Sequence, residues 1–321
     1  MANAEEMVGI DWGTTHRRSY WLDGAGALVA EHGDDLGLLA AQGPGWFAQA
    51  LDSALASFDG LPANAAVLMS GMVGSAQGWH AVPYLGLEVP LTELGKHLFQ
   101  VPDAPGNRPC AIVPGYAMHA ADGTVDVMRG EETQLLGALA LAAQDGRRSD
   151  GWYVLPGTHS KWVRLRGGCI ERFSTFMTGE LYALLSKYGT LAPLMSPAVA
   201  VAPASADESR AAFDAGLRAA AHGSLSNVLF GCRARVVAGV MPAAQAGDHV
   251  SGLLIGAEWH DALAREQAAG GHIDRVSVIG APSLAERHRQ AGAALGIEVA
   301  LIDPRAAYLA ALKRLGGSAS A

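Results

Sequence analysis

Cysteine is scarce in this chain: Cys110, Cys169 and Cys232 are the three present among 321 residues, far apart and without a CxxC pair. That spacing argues against a disulfide framework and against a thiolate zinc site. The 11 histidines show no HxH or HExxH spacing, so they read as structural or surface residues, with His159 set apart by its position. An excess of basic charge is also lacking: Lys plus Arg is 23, Asp plus Glu is 31, and the net charge is −8. Nucleic-acid and anionic-membrane surfaces need a concentrated basic face, so both are argued against as partners. No apolar run reaches membrane-spanning length; Leu135–Ala143 is short and alanine-rich. The N-terminal residues, with Glu5 and Glu6, are acidic where a signal peptide is basic. A cytoplasmic, soluble α/β enzyme is the resulting expectation, with about two domains from the length.

What is present is a pattern that occurs twice. Met7–Trp12, Arg18–Leu22 and Ala27–Glu31 read as a strand meander whose first turn is Gly13-Thr14-Thr15. Helical periodicity follows over Trp46–Phe58, then a buried strand over Ala65–Ser70 runs into Gly71-Met72-Val73-Gly74-Ser75. Cys110–Val113 is a further strand, and Glu131–Gln144 a Leu- and Ala-rich helix stopped by Asp145-Gly146. Trp152–Leu155, Lys161–Arg166 and Cys169–Phe173 then repeat the meander about 145 residues on, with Gly157-Thr158 in its first turn. Helices are predicted over Glu180–Lys187, Asp207–Ala221, Ser224–Ala238 and Val250–Gln267. A strand at Arg275–Ile279, a helix to Ala294, a strand at Glu298–Ile302 and a closing helix at Arg305–Leu315 complete the chain, with Gly316–Ala321 expected as a disordered tail. The repeat implies two similarly built domains, 1–147 and 148–303, with a cleft between them, and 304–321 returning to the first.

Two glycine-threonine turns facing one cleft are a way to hold a nucleoside triphosphate, because Gly admits a close backbone approach and Thr adds a hydroxyl. Gly13, Thr14 and Thr15 would address the transferring phosphoryl group; Gly157, Thr158 and Ser160 would address the other phosphates. Asp11 ends a buried strand, where a carboxylate needs a cation; it is read either as a turn residue bonding its own backbone or as a ligand to Mg²⁺. Lys161 and Arg17 are candidates for charge contact and equally for solvated surface positions. Glu131 and Glu132 open a helix and suit its dipole, but adjacent helical positions point about 100° apart, so one of them could face an acceptor hydroxyl; Glu131 is favoured. Gly71, Met72, Gly74 and Ser75 form either a tight connection or a cradle for a small polar substrate, with Trp79 and Tyr84 able to wall it. Gly280-Ala281 is either an ordinary strand-to-helix turn or a gap in which adenine lies against backbone.

In combination and in this chain order, these features resemble the actin, sugar-kinase and Hsp70 superfamily. That resemblance implies two RNase H-like (actin-like ATPase) domains with a nucleotide cleft between them, Asp11–Thr15 as the first phosphate motif, Glu131 as catalytic acid, Gly157, Thr158, His159, Ser160 and Lys161 as the second, and Gly280-Ala281 as the adenosine turn. The blocks Asp11–Thr15, Gly71–Ser75, Met128–Gln134, Pro156–Val163, Met177–Leu181 and Leu253–Glu258 are similar to the 2-dehydro-3-deoxygalactonokinase family. The similarity implies ATP- and Mg²⁺-dependent phosphorylation of the 6-hydroxyl of 2-dehydro-3-deoxy-D-galactonate, in galactose or galactonate breakdown. Arg17 and Arg129 are the cationic candidates for the substrate carboxylate. Glu stands where many superfamily members carry Asp, which keeps a phosphohydrolase as the alternative, beside a kinase for a related keto-deoxy sugar acid. A homodimer is compatible with the sequence, which fixes no oligomeric state.

Overall fold

The computed structural model describes residues 6–43, 45–196 and 204–319, so the first five residues and the last two of the expected tail lie outside it. By internal contacts the chain divides into two compact units. The first takes Met1–Asp150, Arg164–Phe173 and Asp303–Ala321; the second takes Gly151–Val163 and Ser174–Ile302.

The first sheet opens with β1 (Met7–Trp12), β2 (Arg17–Leu22) and β3 (Leu28–Asp34), followed by helix α1 (Trp46–Ala56) and strands β4 (Ala66–Gly71), β5 (Phe99–Gln100) and β6 (Cys110–Ile112). Its order is β3-β2-β1-β4-β6-β5, antiparallel across the meander and parallel from β1 through β4 to β6. Strand β1 is central and covered on both faces. Val8, Ile10 and Trp12 point into one core with Phe47, Leu51 and Ala54 of α1. Gly9, on the opposite face, lies so close to Leu312 that a Cβ there would come within 2.2 Å of it. A separate hairpin, β7 (Tyr116–His119) with β8 (Val125–Met128), precedes helix α2 (Glu131–Gln144).

The second sheet contains β9 (Gly151–Leu155), β10 (Ser160–Arg166) and β11 (Cys169–Phe176). Helices α3 (Thr178–Lys187), α4 (Ala192–Met195), α5 (Ala206–Ala220), α6 (Leu225–Val237) and α7 (Ala246–Ala268) come next. Strand β12 (Arg275–Ile279), helix α8 (Pro282–Ala294), strand β13 (Glu298–Ile302) and helix α9 (Pro304–Ala319) end the chain. The order is β11-β10-β9-β12-β13, with β12 parallel to both β9 and β13. Counted within each sheet, both run third-second-first-fourth around a central first strand, so the mixed α/β class and the doubled architecture expected from the sequence are present. The apolar centre of the second sheet is Trp162, Trp259, Phe213, Val276 and Val278.

Departures from the sequence reading are local. The β7–β8 hairpin and β5 were not anticipated, and Gly316–Ala319 continues α9 where a disordered tail was expected. Ser205 caps α5 with a reciprocal box, its hydroxyl accepting from the Glu208 N–H while Glu208 accepts from the Ser205 N–H. All three cysteines are free, as expected. Among the described residues no helix is long and apolar enough to cross a membrane.

Helix α9 packs on α2 at a glycine. A Cβ on Gly137 would lie 1.7 Å from the carbonyl oxygen of Ala307, so the two backbones meet with no room for a methyl group. Gly137→Ala should therefore push the helices apart and cost about 1–3 kcal/mol, as overpacking does. Urea unfolding would show this as a lower midpoint at unchanged slope; an unchanged midpoint would contradict the close approach.

Candidate functional site

In the first unit, three backbone segments converge. Gly71 sits at φ 86°, and a Cβ there would fall 2.5 Å from the carbonyl oxygen of Trp12. Gly130, the residue capping α2, sits at φ 107° with its Cβ position 3.3 Å from the Gly71 Cα. Side chains are excluded at both positions by conformation and by space. The end of β1, the loop after β4 and the first turn of α2 are brought together as a result.

Asp11 lies on β1 in register with Arg18 on one side and Ser70 on the other. Burial pushes its carboxyl up, and the Arg18 charge pulls only partly back. The Ser70 hydroxyl is 3.0 Å from the phenol oxygen of Tyr308, a buried residue of α9. Burial raises the Tyr308 pKa well above its usual value, and the nearby charge of Asp11 raises it further. In the first turn, the carbonyls of Gly13, Thr14 and Thr15 accept from the N–H groups of Leu38, Leu39 and Gly37, and the Gly13 N–H is taken by His16. The N–H groups of Thr14 and Thr15 have no backbone acceptor among the described residues, and both residues are exposed.

The two glutamates of α2 differ sharply. Glu131 is half-buried and accepts from the Arg129 N–H at 3.0 Å. Glu132 is fully buried and accepts from the Gly130 N–H at 2.7 Å and from the Thr133 hydroxyl. Burial, and then the charge of Glu131, push the Glu132 carboxyl up to about 8.

Arg17 is corrected. Its side chain is fully enclosed, ion-paired with Asp34 at 2.6 Å, bonded to the carbonyl of Ala50, and set 5.0 Å over the Trp12 ring, with its Nε the one nitrogen lacking a partner among the described residues. A guanidinium spent on the interior of the unit cannot receive a substrate. Arg129 is the opposite case. It donates to the carbonyl of Val82 at 2.6 Å and lies 4.3 Å over the Tyr84 ring, while its Nε and Nη1 are buried with no partner among the described residues. Gly74 is pressed against it, with a Cβ position 2.8 Å from Nη1, and the buried Ser75 hydroxyl is likewise unpartnered. Unpaired buried donors are costly, and here they stand on two segments, the loop after β4 and the residue before Gly130.

In the second unit, the turn from β9 to β10 is fixed by a residue to which the sequence analysis assigned no role. Glu258 of α7 is buried and accepts from the Ser160 hydroxyl at 2.6 Å, the Trp162 indole N–H at 2.6 Å and the Thr178 hydroxyl at 2.5 Å. Ser160 therefore gives its proton to a carboxylate and is corrected as a donor to phosphate. Lys161, also buried, donates to the Thr175 hydroxyl at 2.7 Å, and His159 pairs with Glu180 at 2.6 Å. Gly179 closes the arrangement: a Cβ there would be 2.2 Å from the Gly157 carbonyl oxygen, and the Glu180 N–H donates to the Thr158 carbonyl. The turn thus directs its carbonyls towards α3, while the N–H groups of Gly157, Thr158 and His159 have no backbone acceptor among the described residues.

Beside this turn is a cavity of about 460 Å³, walled by Gly157 and Thr158 of the turn, Tyr182 of α3, Ile255 of α7, and Leu284 and His288 of α8. Gly280 packs on the Pro156 ring instead of lining the cavity, so the wall is made by the first turns of α8 and not by Gly280-Ala281.

The Glu132 environment has a consequence for stability. Its folded pKa, about 8, exceeds the ordinary 4.5, so between these values the folded chain holds a proton that the unfolded chain has released. Its contribution to stability therefore falls as pH rises through that window. Glu132→Gln should gain on the wild type in thermal midpoint from pH 5 to pH 8 and level off above; parallel curves would contradict the buried, protonated state.

A family model described as 2-keto-3-deoxy-galactonokinase matches residues 11–315. A Rhizobium meliloti (strain 1021) protein carrying the name probable 2-dehydro-3-deoxygalactonokinase is 37% identical over 97% of this chain and 97% of its own length. The 2-dehydro-3-deoxygalactonokinase of Escherichia coli (strain K12) is 34% identical over 96% of each. The crystal structure of a candidate 2-dehydro-3-deoxygalactonokinase from Sinorhizobium meliloti superposes with a TM-score of 0.82 at 34% identity, covering 96% of this chain and 94% of that one. By a match over nearly its whole length, and by full-length relatives above 30% identity, this chain belongs to the 2-keto-3-deoxy-galactonokinase family of carbohydrate kinases.

Proposed function

We propose that the protein transfers the γ-phosphoryl group of ATP to the 6-hydroxyl of 2-dehydro-3-deoxy-D-galactonate. The observation that carries this reading is the Arg129 guanidinium, buried with two unpaired nitrogens against Gly74 and one residue short of Gly130-Glu131. A carboxylate is the chemical complement of that donor set, because guanidinium and carboxylate match in charge and in fork geometry. A sugar acid held there by its C1 carboxylate presents the far end of its chain to other groups of the same unit.

Glu131 is then the residue to orient the acceptor hydroxyl and take its proton. What supports it over Glu132 is protonation: Glu132 keeps its proton to about pH 8 and has no vacancy for another at neutral pH. Little base strength is demanded of Glu131, since the phosphoryl transition state is loose and the proton leaves late. The nucleotide belongs to the second unit, with its phosphates on the N–H groups of the Gly157–His159 turn and its nucleoside in the adjoining cavity. In this arrangement the turn acts through backbone alone, its neighbouring hydroxyls being held by Glu258.

Asp11 fits a magnesium ion in kind: burial disfavours its charged form, and a cation would reverse that. Among the described residues no three or more His, Cys, Asp or Glu side chains cluster as a metal cage. An ion there would depend on one carboxylate, phosphate oxygens and water, which is the usual manner of Mg²⁺ with nucleotides. When bound, it would neutralise charge building on the transferring group.

Three measurements test the reading. A panel of keto-deoxy sugar acids in an ADP-release assay should single out the galactonate isomer; release of inorganic phosphate without a phosphosugar would favour the phosphohydrolase instead. Glu131→Gln should lower kcat by about 10²–10⁴-fold, the usual worth of a general base, with nucleotide affinity unchanged. Arg129→Ala should raise the KM for the sugar acid at least about tenfold while kcat holds, the signature of lost ground-state binding; a KM that did not move would remove Arg129 from the site.

A further inference from the structure

Glu258 of α7 is not among the residues that wall the cavity of the second unit, yet it grips the turn beside that cavity from behind. Its carboxylate is 2% exposed and takes three donors on two oxygens. Oε1 accepts from the Ser160 hydroxyl and from the Trp162 indole N–H, both at 2.6 Å, and Oε2 accepts from the Thr178 hydroxyl. An indole nitrogen only donates, so the Trp162 contact fixes Oε1 as an acceptor. Ser160 directly follows His159 and starts β10, whereas Thr178 is the first residue of α3. One side chain, 98 residues from Ser160 in sequence, therefore clamps the end of the turn to the start of a helix.

The start of α3 is also where the turn rests. A Cβ on Gly179 would be 2.2 Å from the Gly157 carbonyl oxygen. The Glu180 N–H, a first-turn donor with no acceptor inside its own helix, donates to the Thr158 carbonyl at 2.9 Å. Peptide planarity turns these contacts into a direction. No cis peptide occurs among the described residues, and in a trans peptide the C=O and the following N–H point opposite ways. The Gly157 carbonyl shares its peptide with the Thr158 N–H, and the Thr158 carbonyl shares its peptide with the His159 N–H. Carbonyls held against α3 therefore aim those two N–H groups away from it, and neither has a backbone acceptor among the described residues. Either peptide turned over would offer an anion a carbonyl oxygen in place of a donor.

We propose that Glu258 is a positioning residue for phosphoryl transfer, clamping Ser160 and Thr178 so that the Gly157–His159 turn presents its Thr158 and His159 N–H groups to the phosphates of the nucleotide. The inference rests on the nucleotide reading made above and adds the residue that keeps the phosphate contacts in place. Glu258 acts through the turn and not by touching the nucleotide. Its loss is therefore felt by ligands that carry phosphate and not by the nucleoside alone, whereas a general prop of the fold would affect both alike.

The test compares ADP, titrated by calorimetry, with adenosine, titrated by saturation-transfer NMR, on the full chain without sugar acid, so that turnover plays no part. The wild type should bind ADP more tightly than adenosine. Glu258→Ala should weaken ADP about tenfold or more, the scale of lost charge-assisted hydrogen bonds, and leave adenosine unchanged. Glu258→Gln should recover most of the ADP affinity, because Ser160 and Trp162 keep an acceptor and the Thr178 hydroxyl can turn to accept from the amide. Should Glu258→Ala fail to fold by circular dichroism, Trp162→Phe takes one donor from the carboxylate at a fully buried position that does not line the cavity. It should weaken ADP about threefold with adenosine unmoved. Equal losses for ADP and adenosine, an undiminished ADP affinity in the folded variant, or no recovery in Glu258→Gln would overturn the proposal while leaving ATP as the donor. A wild type that bound ADP no better than adenosine would instead overturn the placing of phosphates on this turn.

Discussion

Glu258 is a carboxylate in a place where water does not reach, and it exists there only because three donors converge on it. A buried charge is tolerated when its lone pairs are filled, and the geometry that fills them then becomes obligatory. Ser160 begins the strand after the Gly157–His159 turn, Trp162 lies within that strand, and Thr178 opens α3. One side chain of α7 thereby sets the relation of strand, turn and helix to one another. Removing it would orphan three donors at about 1–3 kcal/mol each, so the shape of the turn is held by more than its own backbone preferences. Trp162 extends the constraint, since its ring meets Trp259 edge-on at 4.9 Å and Trp259 in turn fixes the tautomer of His288. Turn, core and cavity wall in the second unit are one connected set.

The first unit is organised by the opposite device, absence of side chains. Gly71 and Gly130 let the Trp12 carbonyl, the loop after β4 and the start of α2 come within contact distance. The space saved is given to charged groups that are incompletely paired: Asp11, its charge disfavoured by burial, and Arg129 with two unpaired nitrogens. Stability alone would favour pairing each of these, as Arg17 is paired with Asp34 and stacked on Trp12. The two arginines of one unit differ in this: Arg17 has a carboxylate partner and one nitrogen unpartnered, whereas Arg129 has only the Val82 carbonyl and the Tyr84 ring and two nitrogens unpartnered among the described residues. Folded states carry such costs where a ligand offsets them.

Much of this was legible in the sequence, and the limits have physical causes. The doubled strand-turn-strand pattern, the bounds of α2 at Glu131–Gln144 and the Gly71–Ser75 loop beside Arg129 follow from local signals: alternation, an acidic first turn and glycine pairs. Arg17 and Arg18 are adjacent on a strand, so alternation says that they point to opposite faces without saying which face is the interior. Only the long-range partners Trp12, Ala50 and Asp34 decide it. The fate of the Ser160 proton was equally out of reach, because its acceptor is 98 residues away on α7. The β7–β8 hairpin had a local signal in Asp122-Gly123, and Asp122 does accept from the Thr124 N–H there, but the strands that flank it are short and exposed.

The placing of Glu where many relatives in the wider superfamily use Asp bears on the choice between phosphoryl transfer to a sugar and to water. A longer carboxylate arm is compatible with either acceptor, so the side chain alone does not discriminate. Its surroundings do. A water molecule needs no anchoring beyond the base that polarises it, and a hydrolase has no use for an enclosed guanidinium with two nitrogens unpartnered beside the start of α2. Arg129 is one residue before the capping Gly130 and its main-chain N–H is bonded to Glu131 itself, so the cation and the carboxylate are fixed by the same turn of chain. On the proposed reading, an acceptor that carries both a carboxylate and a hydroxyl would be held at two points by that turn, Arg129 supplying affinity and Glu131 receiving the proton in a reaction that asks little of its base.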